Sequence, residues 1–170
     1  KSYLKNPQPV SDNLLYGEFH ENSKHTTRMP YMKPVYDVLE KNRGKVIYFD
    51  FWARWCPPCL AEMEPLKQLR SKFSTDDLII YSICVSEPKE QWEECLNEYS
   101  LRNRGIECVH VTDYLGIDNY QKIRKQWKID RMPYYILINR QGQIIDFGTA
   151  ARPSNPQLVS RIEEAVKDTK

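Results

Sequence analysis

The sequence predicts an α/β sandwich built on a mixed central sheet. Apolar runs that fit buried strands alternate with segments whose apolar residues recur every three or four positions, as on one face of a helix. Towards the C-terminus this alternation stops, and two short strand-like runs meet at a turn, the pattern of a β-hairpin. Alternation predicts parallel strands and the hairpin adds antiparallel ones, so the predicted sheet is mixed.

The N-terminal part of the chain is the least patterned. Residues 1–33 carry no clear apolar period and are predicted to be an arm or linker, with a short strand at 14–19. Residues 34–170 are the predicted domain. Its first element is a short helix in KPVYDVLEKNRG, which begins at Pro34 and ends by Gly44.

Two buried strands with a helix between them come next. KVIYFDFWA is a nearly continuous β-branched and aromatic run, typical of a strand buried on both faces. A helix is predicted over 57–73, where apolar residues recur at helical spacing, and DLIIYSICV is a second buried strand. In the segment 86–111, Ser86 is the expected N-cap of a helix, and IECVHV predicts a strand.

The C-terminal part completes the sandwich. A further helix is predicted over 117–127. PYYILINRQGQIIDFG predicts a hairpin that turns at Arg140–Gln143. The last helix is capped by Ser154 or Asn155, with Pro156 in its first turn.

Composition and charge exclude several classes of protein. The 170 residues are 41% hydrophobic and 28% charged, which is enough apolar material for a sizeable core. A net charge of +2 is too small to indicate a nucleic-acid or membrane-surface partner. No apolar run reaches the length of a membrane-spanning helix. The chain opens on Lys1 without a signal-peptide pattern, which fits a processed protein.

The stretch FWARWCPPCLAEMEP contains the strongest chemical motif. Of the five cysteines, only Cys56 and Cys59 are close in sequence, and an odd number does not predict a disulfide scaffold. The pair follows a buried strand and opens a helix, where free amides and the helix dipole favour a thiolate. Cys56 is nearer the helix start and is the expected nucleophile; Cys59, one turn further in, is the expected resolving thiol.

Three interpretations of the cysteine pair compete. The pair could be buried and inert, or it could bind a metal with Cys108 and His110, which share one face of a predicted strand. Dithiol–disulfide exchange is favoured, because a Cys-x-x-Cys at a strand–helix junction is rarely inert and no second Cys-x-x-Cys is present.

Several other residues are candidates around this motif. Asp50 interrupts an apolar strand; it is either a strand-end residue facing water or a buried acid, and burial raises the pKa of a carboxyl. Glu62 is expected either to face solvent and interact favourably with the helix dipole, or to bias the site electrostatically. Cys84 and Cys95 are expected to be small core residues, and Trp55 is expected on an exposed apolar rim.

The chain resembles a known family. DFWARWCPPC is similar to the active-site strand and loop of thioredoxin-like proteins, and CPPCLAEM is closer to the TlpA/ResA-type thiol–disulfide oxidoreductases. RMPYYILINRQGQII resembles the cis-proline loop and hairpin of that family, and 86–111 matches its extra helix and strand. The resemblance covers about residues 34–168. It implies a thioredoxin fold with a helix–strand insertion at about 86–111.

The resemblance also implies roles for individual residues. Asp50 would accept the proton of Cys59, and the Met132–Pro133 bond would be cis, bringing the Met132 backbone beside the cysteines to pair with a substrate peptide. Trp55 and Pro57 would line the substrate surface. Two features depart from the family pattern: the helix-kinking proline is one place later, at Pro65, and Met132 replaces the usual Val or Thr.

These observations lead to one expected function. The chain is expected to be a thiol–disulfide oxidoreductase that uses its own dithiol, without organic cofactor or metal, to reduce disulfides of partner proteins in the periplasm or another extracytoplasmic space. An unknown donor protein would supply electrons. The alternative is a metal- or copper-delivery module. A peroxidase on the same fold would need a Thr-x-x-Cys motif, which the sequence lacks.

Overall fold

The computed structural model of the chain describes residues 30–86 and 88–168, and it confirms the predicted mixed sheet. Within these residues the strands are β1 (Val46–Trp52), β2 (Leu78–Cys84), β3 (Ile106–His110), β4 (Tyr134–Ile138) and β5 (Ile144–Gly148). They form one five-stranded sheet in the order β3-β2-β1-β4-β5. β1, β2 and β3 are parallel, and β4 runs antiparallel to both β1 and β5.

Helices cover both faces of this sheet. They are α1 (Lys33–Lys41), α2 (Pro57–Ala61), α3 (Met63–Lys72), α4 (Lys89–Glu98), α5 (Val111–Tyr114), α6 (Ile117–Gln126) and α7 (Pro156–Lys167), and a 3-10 turn at Pro30–Met32 precedes α1. The first face is covered by α1, α5 and α6, and the second by α3 and α7. Over the described part of the chain, no helix combines the length and apolarity needed to cross a bilayer.

Burial of the central strand β1 on both faces explains its apolar sequence. All seven of its residues are buried, because helices lie on both sides of it. Phe49 and Phe51 face the first side, where Trp127 packs with its ring centroid 6.2 and 6.5 Å from theirs. Val46 and Tyr48 face the second side with α3 and α7. Alternate residues therefore serve two separate cores.

The single helix predicted over 57–73 is wrong. The structure has two helices, α2 and α3, separated at Glu62, whose backbone has φ −90° and ψ 0°. Pro65 is the third residue of α3, so it has no N–H to bond the Ala61 carbonyl, and its ring crowds that carbonyl. The helix therefore breaks before Pro65 and starts again at Met63, where the missing N–H falls in the first turn.

The N-cap predicted at Ser86 is also wrong. α4 begins at Lys89, and the residue before it is Pro88, which makes no side-chain capping bond. The Ser86 hydroxyl instead accepts a hydrogen bond from the Arg54 N–H at 2.9 Å. This bond joins the end of β2 to the loop that follows β1.

The strand predicted through Val111 ends one residue earlier. Val111 begins the short helix α5, which the sequence patterns did not indicate. The Nδ1 atom of His110 accepts the Thr112 N–H at 3.3 Å and so caps this helix. A side chain that caps a helix competes with strand continuation, which explains the shorter strand.

The remaining boundaries agree closely with the sequence. The helix expected at 34–44 spans Lys33–Lys41, and Gly44 beyond it has φ +83°, a conformation that glycine accepts readily. Asn155 is the residue that caps α7. Met32 is only 1% exposed and belongs to the core, so packing begins before residue 34. The domain boundary itself stays a prediction, and the strand expected at 14–19 lies outside the described residues.

A pair of isoleucines tests how the core stabilises the sheet. Ile136 in β4 is fully buried, whereas Ile117 at the start of α6 is 40% exposed. Ile136→Ala should lower the free energy of unfolding by about 2 to 5 kcal/mol through lost burial and a cavity. Ile117→Ala should change it by less than about 0.5 kcal/mol. Urea denaturation of the oxidised protein measures both, and equal losses would contradict the assigned core.

Candidate active site

The two cysteines of the motif are joined at the junction of β1 and α2. Cys56 and Cys59 form a disulfide with their Cα atoms 5.3 Å apart. Cys56 is the N-cap of α2, and the Cys59 N–H donates to its Sγ at 3.2 Å. Pro57 and Pro58 occupy the first two helical positions and have no N–H. The first amide that α2 offers is therefore aimed at the Cys56 sulfur, where it would stabilise a thiolate.

Exposure around the disulfide is uneven. The Trp55 side chain is 69% exposed, and Pro57 is exposed beside it, which fits the predicted apolar rim. Cys56 and Cys59 are 4% and 2% exposed, so the expected difference between them is small in the oxidised state. Cys108 is more exposed than either of them, since it is half-buried.

The predicted cis peptide bond is confirmed between Met132 and Pro133. Met132 is half-buried and packs against the apolar cluster that contains both active-site cysteines. The Pro133 carbonyl accepts a hydrogen bond from the Thr149 hydroxyl at 2.8 Å. The loop before β4 therefore lies beside the dithiol. Thr149, the residue that follows β5, fixes this loop through its hydrogen bond to the Pro133 carbonyl.

Asp50 is the buried acid of the site, and the alternative of a water-facing residue is wrong. It lies in the middle of β1 and is 4% exposed. Burial raises the pKa of its carboxyl to about 8, and the charge of Glu62 acts in the same direction. The Ser82 hydroxyl donates to Asp50 Oδ2 at 3.4 Å and offsets part of that rise. The carboxyl therefore exchanges its proton near neutral pH.

Neighbouring strands surround this carboxyl with polar groups that stay uncharged. In the sheet register Asp50 pairs with Tyr135 on β4 and Ser82 on β2, and Ser82 pairs with Cys108 on β3. The ring of Tyr135 stacks on Tyr48 at 5.6 Å between centroids. Burial raises the pKa of both tyrosines well above its ordinary value, so both remain protonated when Asp50 titrates.

Glu62 occupies the break between α2 and α3, one turn after Cys59. Its carboxylate accepts hydrogen bonds from the backbone N–H and the hydroxyl of Ser154, at 2.9 and 2.8 Å. Its charge raises the pKa of Asp50. Glu62 is therefore placed to bias the site electrostatically, as one of the two sequence interpretations expected.

The three other cysteines are separate thiols. Cys84 and Cys95 are 0% and 1% exposed, as expected of core residues. Burial raises the pKa of each, and it raises the pKa of Cys108 to about 11. None of the three is therefore an effective nucleophile near neutral pH.

The metal interpretation gains no support from the geometry. In that alternative His110 would act as a ligand with Cys108, but its Nε2 lies 2.8 Å from the Ser86 carbonyl and its Nδ1 accepts the Thr112 N–H. Both ring nitrogens are thus used within the fold. Across residues 30–86 and 88–168, no three Cys, His, Asp or Glu side chains cluster so as to hold a metal ion.

Sequence reasoning missed several partners in the site. Ser82, Ser154 and Thr149 contact Asp50, Glu62 and the Pro133 carbonyl, respectively. Ser82 had a visible signal, since it is the polar residue in an otherwise apolar strand. Ser154 and Thr149 had none, because each partner is remote in sequence.

The comparisons with known proteins agree on one family. The model of the Redoxin family matches residues 33–166. The curated relatives include the thiol–disulfide oxidoreductase ResA of Halalkalibacterium halodurans, 25% identical over 129 residues, which cover 76% of this chain and 66% of that protein. The sporulation thiol–disulfide oxidoreductase A of Bacillus subtilis is 22% identical, covering 64% of this chain and 61% of that protein. The chain thus spans less than two thirds of the length of these two relatives.

Solved structures agree with this assignment. A solution structure of a candidate thiol–disulfide oxidoreductase from Bacteroides vulgatus is 34% identical, with a TM-score of 0.55 over 74% of this chain and 76% of that one. The thioredoxin domain of a thiol–disulfide oxidoreductase from the same organism has a TM-score of 0.63, covering 76% of this chain and 84% of that one. At 22% identity, the second likeness concerns the fold alone.

The order of alkylation tests the assignment of the nucleophile. In reduced protein at pH near 6, a thiol-specific reagent should label Cys56 first, because the Cys59 N–H stabilises its thiolate. Cys108 is more exposed, but its pKa of about 11 keeps it protonated. Peptide mapping after brief labelling gives the order, and urea-unfolded protein is the control. Labelling of Cys84, Cys95 or Cys108 before Cys56 would refute the assignment.

Proposed function

The chain belongs to the Redoxin family, among TlpA/ResA-type thioredoxin-like proteins, and on that premise we propose that it is a thiol–disulfide oxidoreductase that reduces disulfides of partner proteins. The observation that carries the proposal is the Cys56–Cys59 disulfide, formed where β1 meets α2 and next to the strand that buries Asp50. In the proposed reaction this disulfide is the state that follows one round of substrate reduction.

The first step of the proposed reaction is attack by Cys56. Its thiolate, stabilised by the Cys59 N–H, attacks one sulfur of the substrate disulfide, and the other substrate sulfur leaves as a thiolate that takes a proton from water. Trp55, Pro57, Met132 and the cis Pro133 form the proposed substrate surface. Exposure of Trp55 and Pro57 and the packing of Met132 against the dithiol cluster support this role.

The second step resolves the mixed disulfide. Asp50 accepts the proton of Cys59, and the Cys59 thiolate attacks the Cys56 sulfur and releases the second substrate thiolate. Two electrons pass from the dithiol to the substrate, and the Cys56–Cys59 disulfide forms. A pKa of about 8 suits Asp50 to this transfer, because its protonated and ionised forms are both populated near neutral pH. An external dithiol protein must then reduce the pair again.

We also propose that this exchange takes place outside the cytoplasm, in the periplasm or an equivalent space. The resemblance of CPPCLAEM to the TlpA/ResA type supports this location. Fractionation of the host cell, with detection of the chain in the extracytoplasmic fraction, tests it.

Replacing the resolving cysteine should trap the substrate. In Cys59→Ser the mixed disulfide on Cys56 has no fast intramolecular exit, since Cys84 and Cys95 are buried thiols with raised pKa values. Non-reducing gels of host cells expressing this variant should show high-mass bands that disappear on reduction. Mass spectrometry of those bands identifies the partners.

Cys56→Ser is the matched control for the trap. This variant keeps Cys59, which lies deeper than Cys56, and should therefore give almost no adducts. Equal bands from the two variants, or none from either, would contradict the assignment of Cys56 as nucleophile and Cys59 as resolving thiol.

A further inference from the structure

The loop between β5 and α7, residues 149–155, reaches the break between the two redox-site helices. The Ser154 backbone N–H donates to Glu62 Oε1 at 2.9 Å, and its hydroxyl donates to Oε2 at 2.8 Å. Both oxygens of one carboxylate are thus held by one residue that lies 92 positions away in sequence. Hydrogen bonds to a charged acceptor are among the stronger ones in proteins.

The same loop is anchored at two further points. The Thr149 hydroxyl donates to the Pro133 carbonyl at 2.8 Å, and the Tyr48 hydroxyl donates to the Ala151 carbonyl at 2.6 Å. Ala151 is 1% exposed, so the middle of the loop is packed into the core. Ser154 is therefore presented to Glu62 from a fixed support.

We propose that Ser154 is a positioning residue for the exchange reaction: it holds the Glu62 carboxylate against the site and so sets the electrostatic field at Asp50. This inference rests on the proposed function for its biological meaning. Ser154 acts through Glu62, the side chain that accepts both of these hydrogen bonds.

Glu62 is the group near Asp50 through which such control can act. The titratable groups that face Asp50 come from β1, β4, β2, β3 and the helix break; they are Tyr48, Tyr135, Cys84, Cys108 and Glu62, respectively. Burial raises the pKa of both tyrosines and both cysteines, so they are neutral while Asp50 titrates. Among the described groups that face Asp50, Glu62 is thus the one whose charge can act on it, and that charge depends on where the Glu62 side chain lies.

Loss of the Ser154 hydroxyl should weaken this field. Glu62 is half-buried and borders solvent, so with one bond fewer its carboxylate can turn outwards, where water screens its charge. The charge of Glu62 raises the pKa of Asp50. Moving that charge away should therefore lower the pKa of Asp50 from about 8.

The test is an NMR titration of the Asp50 side-chain carboxyl carbon in the oxidised protein. Ser154→Ala should shift the titration midpoint to lower pH, and Ser154→Thr, which keeps a hydroxyl, should restore it. Ser71→Ala is the matched control, because the Ser71 hydroxyl bonds only its own helix, at Gln68 O. It should leave the midpoint unchanged. Glu62→Gln, which removes the charge, should shift the midpoint at least as far as Ser154→Ala.

A double variant separates positioning from a general structural effect. If Ser154 acts through Glu62, then adding Ser154→Ala to Glu62→Gln should cause no further shift. An unchanged midpoint in Ser154→Ala, or an equal shift with and without the Glu62 charge, would overturn the proposal. The titration uses no substrate. An inactive wild-type protein whose midpoint still depends on Ser154 would thus refute the proposed function, but not the control of the Asp50 environment by Ser154 through Glu62.

Discussion

A carboxyl group buried in the central strand is the constraint on which the rest of the site depends. Asp50 is 4% exposed, and a buried ionised carboxylate without compensation costs several kcal/mol of stability. The protein meets this cost by raising the pKa to about 8, so that Asp50 is mainly protonated at neutral pH and can still release its proton. The long Ser82 bond offsets only part of the burial. Incomplete stabilisation of the anion lets the carboxyl gain and lose a proton in this pH range.

One short segment connects the strand that holds this carboxyl to the dithiol. β1 contains Asp50, and after three loop residues the chain reaches Cys56, which caps α2. The helix must then break before Pro65, and the break puts Glu62 one turn beyond Cys59. The acid, the sulfur pair and the second carboxylate therefore lie within thirteen residues of sequence. Two loops complete the site: the loop after β5 bonds Glu62, and the loop before β4 packs against the dithiol cluster.

Local features of the site could be predicted from the sequence, and long-range ones could not. The buried strand around Asp50, the Cys56–Cys59 pair and the cis bond before Pro133 each have a signature within a few residues, which periodicity or a resemblance reveals. The bonds of Ser82 and Ser154 depend on strand register and on loop placement across the fold. The role of Ser86 was misassigned for the same reason: a serine before a helix suggests a cap, but its partner is a backbone amide 32 residues earlier.

Resolution of a preformed mixed disulfide, followed by stopped flow between pH 6 and 9, tests the central claim most directly. In the wild type the rate should rise with pH through about 8, because Asp50 accepts the Cys59 proton only when ionised. Asp50→Asn should slow resolution by about a hundredfold or more, the usual range for loss of a general base. It should also lose that rise with pH, while attack by Cys56 changes little. Equal rates and equal pH profiles for resolution would remove Asp50 from the mechanism.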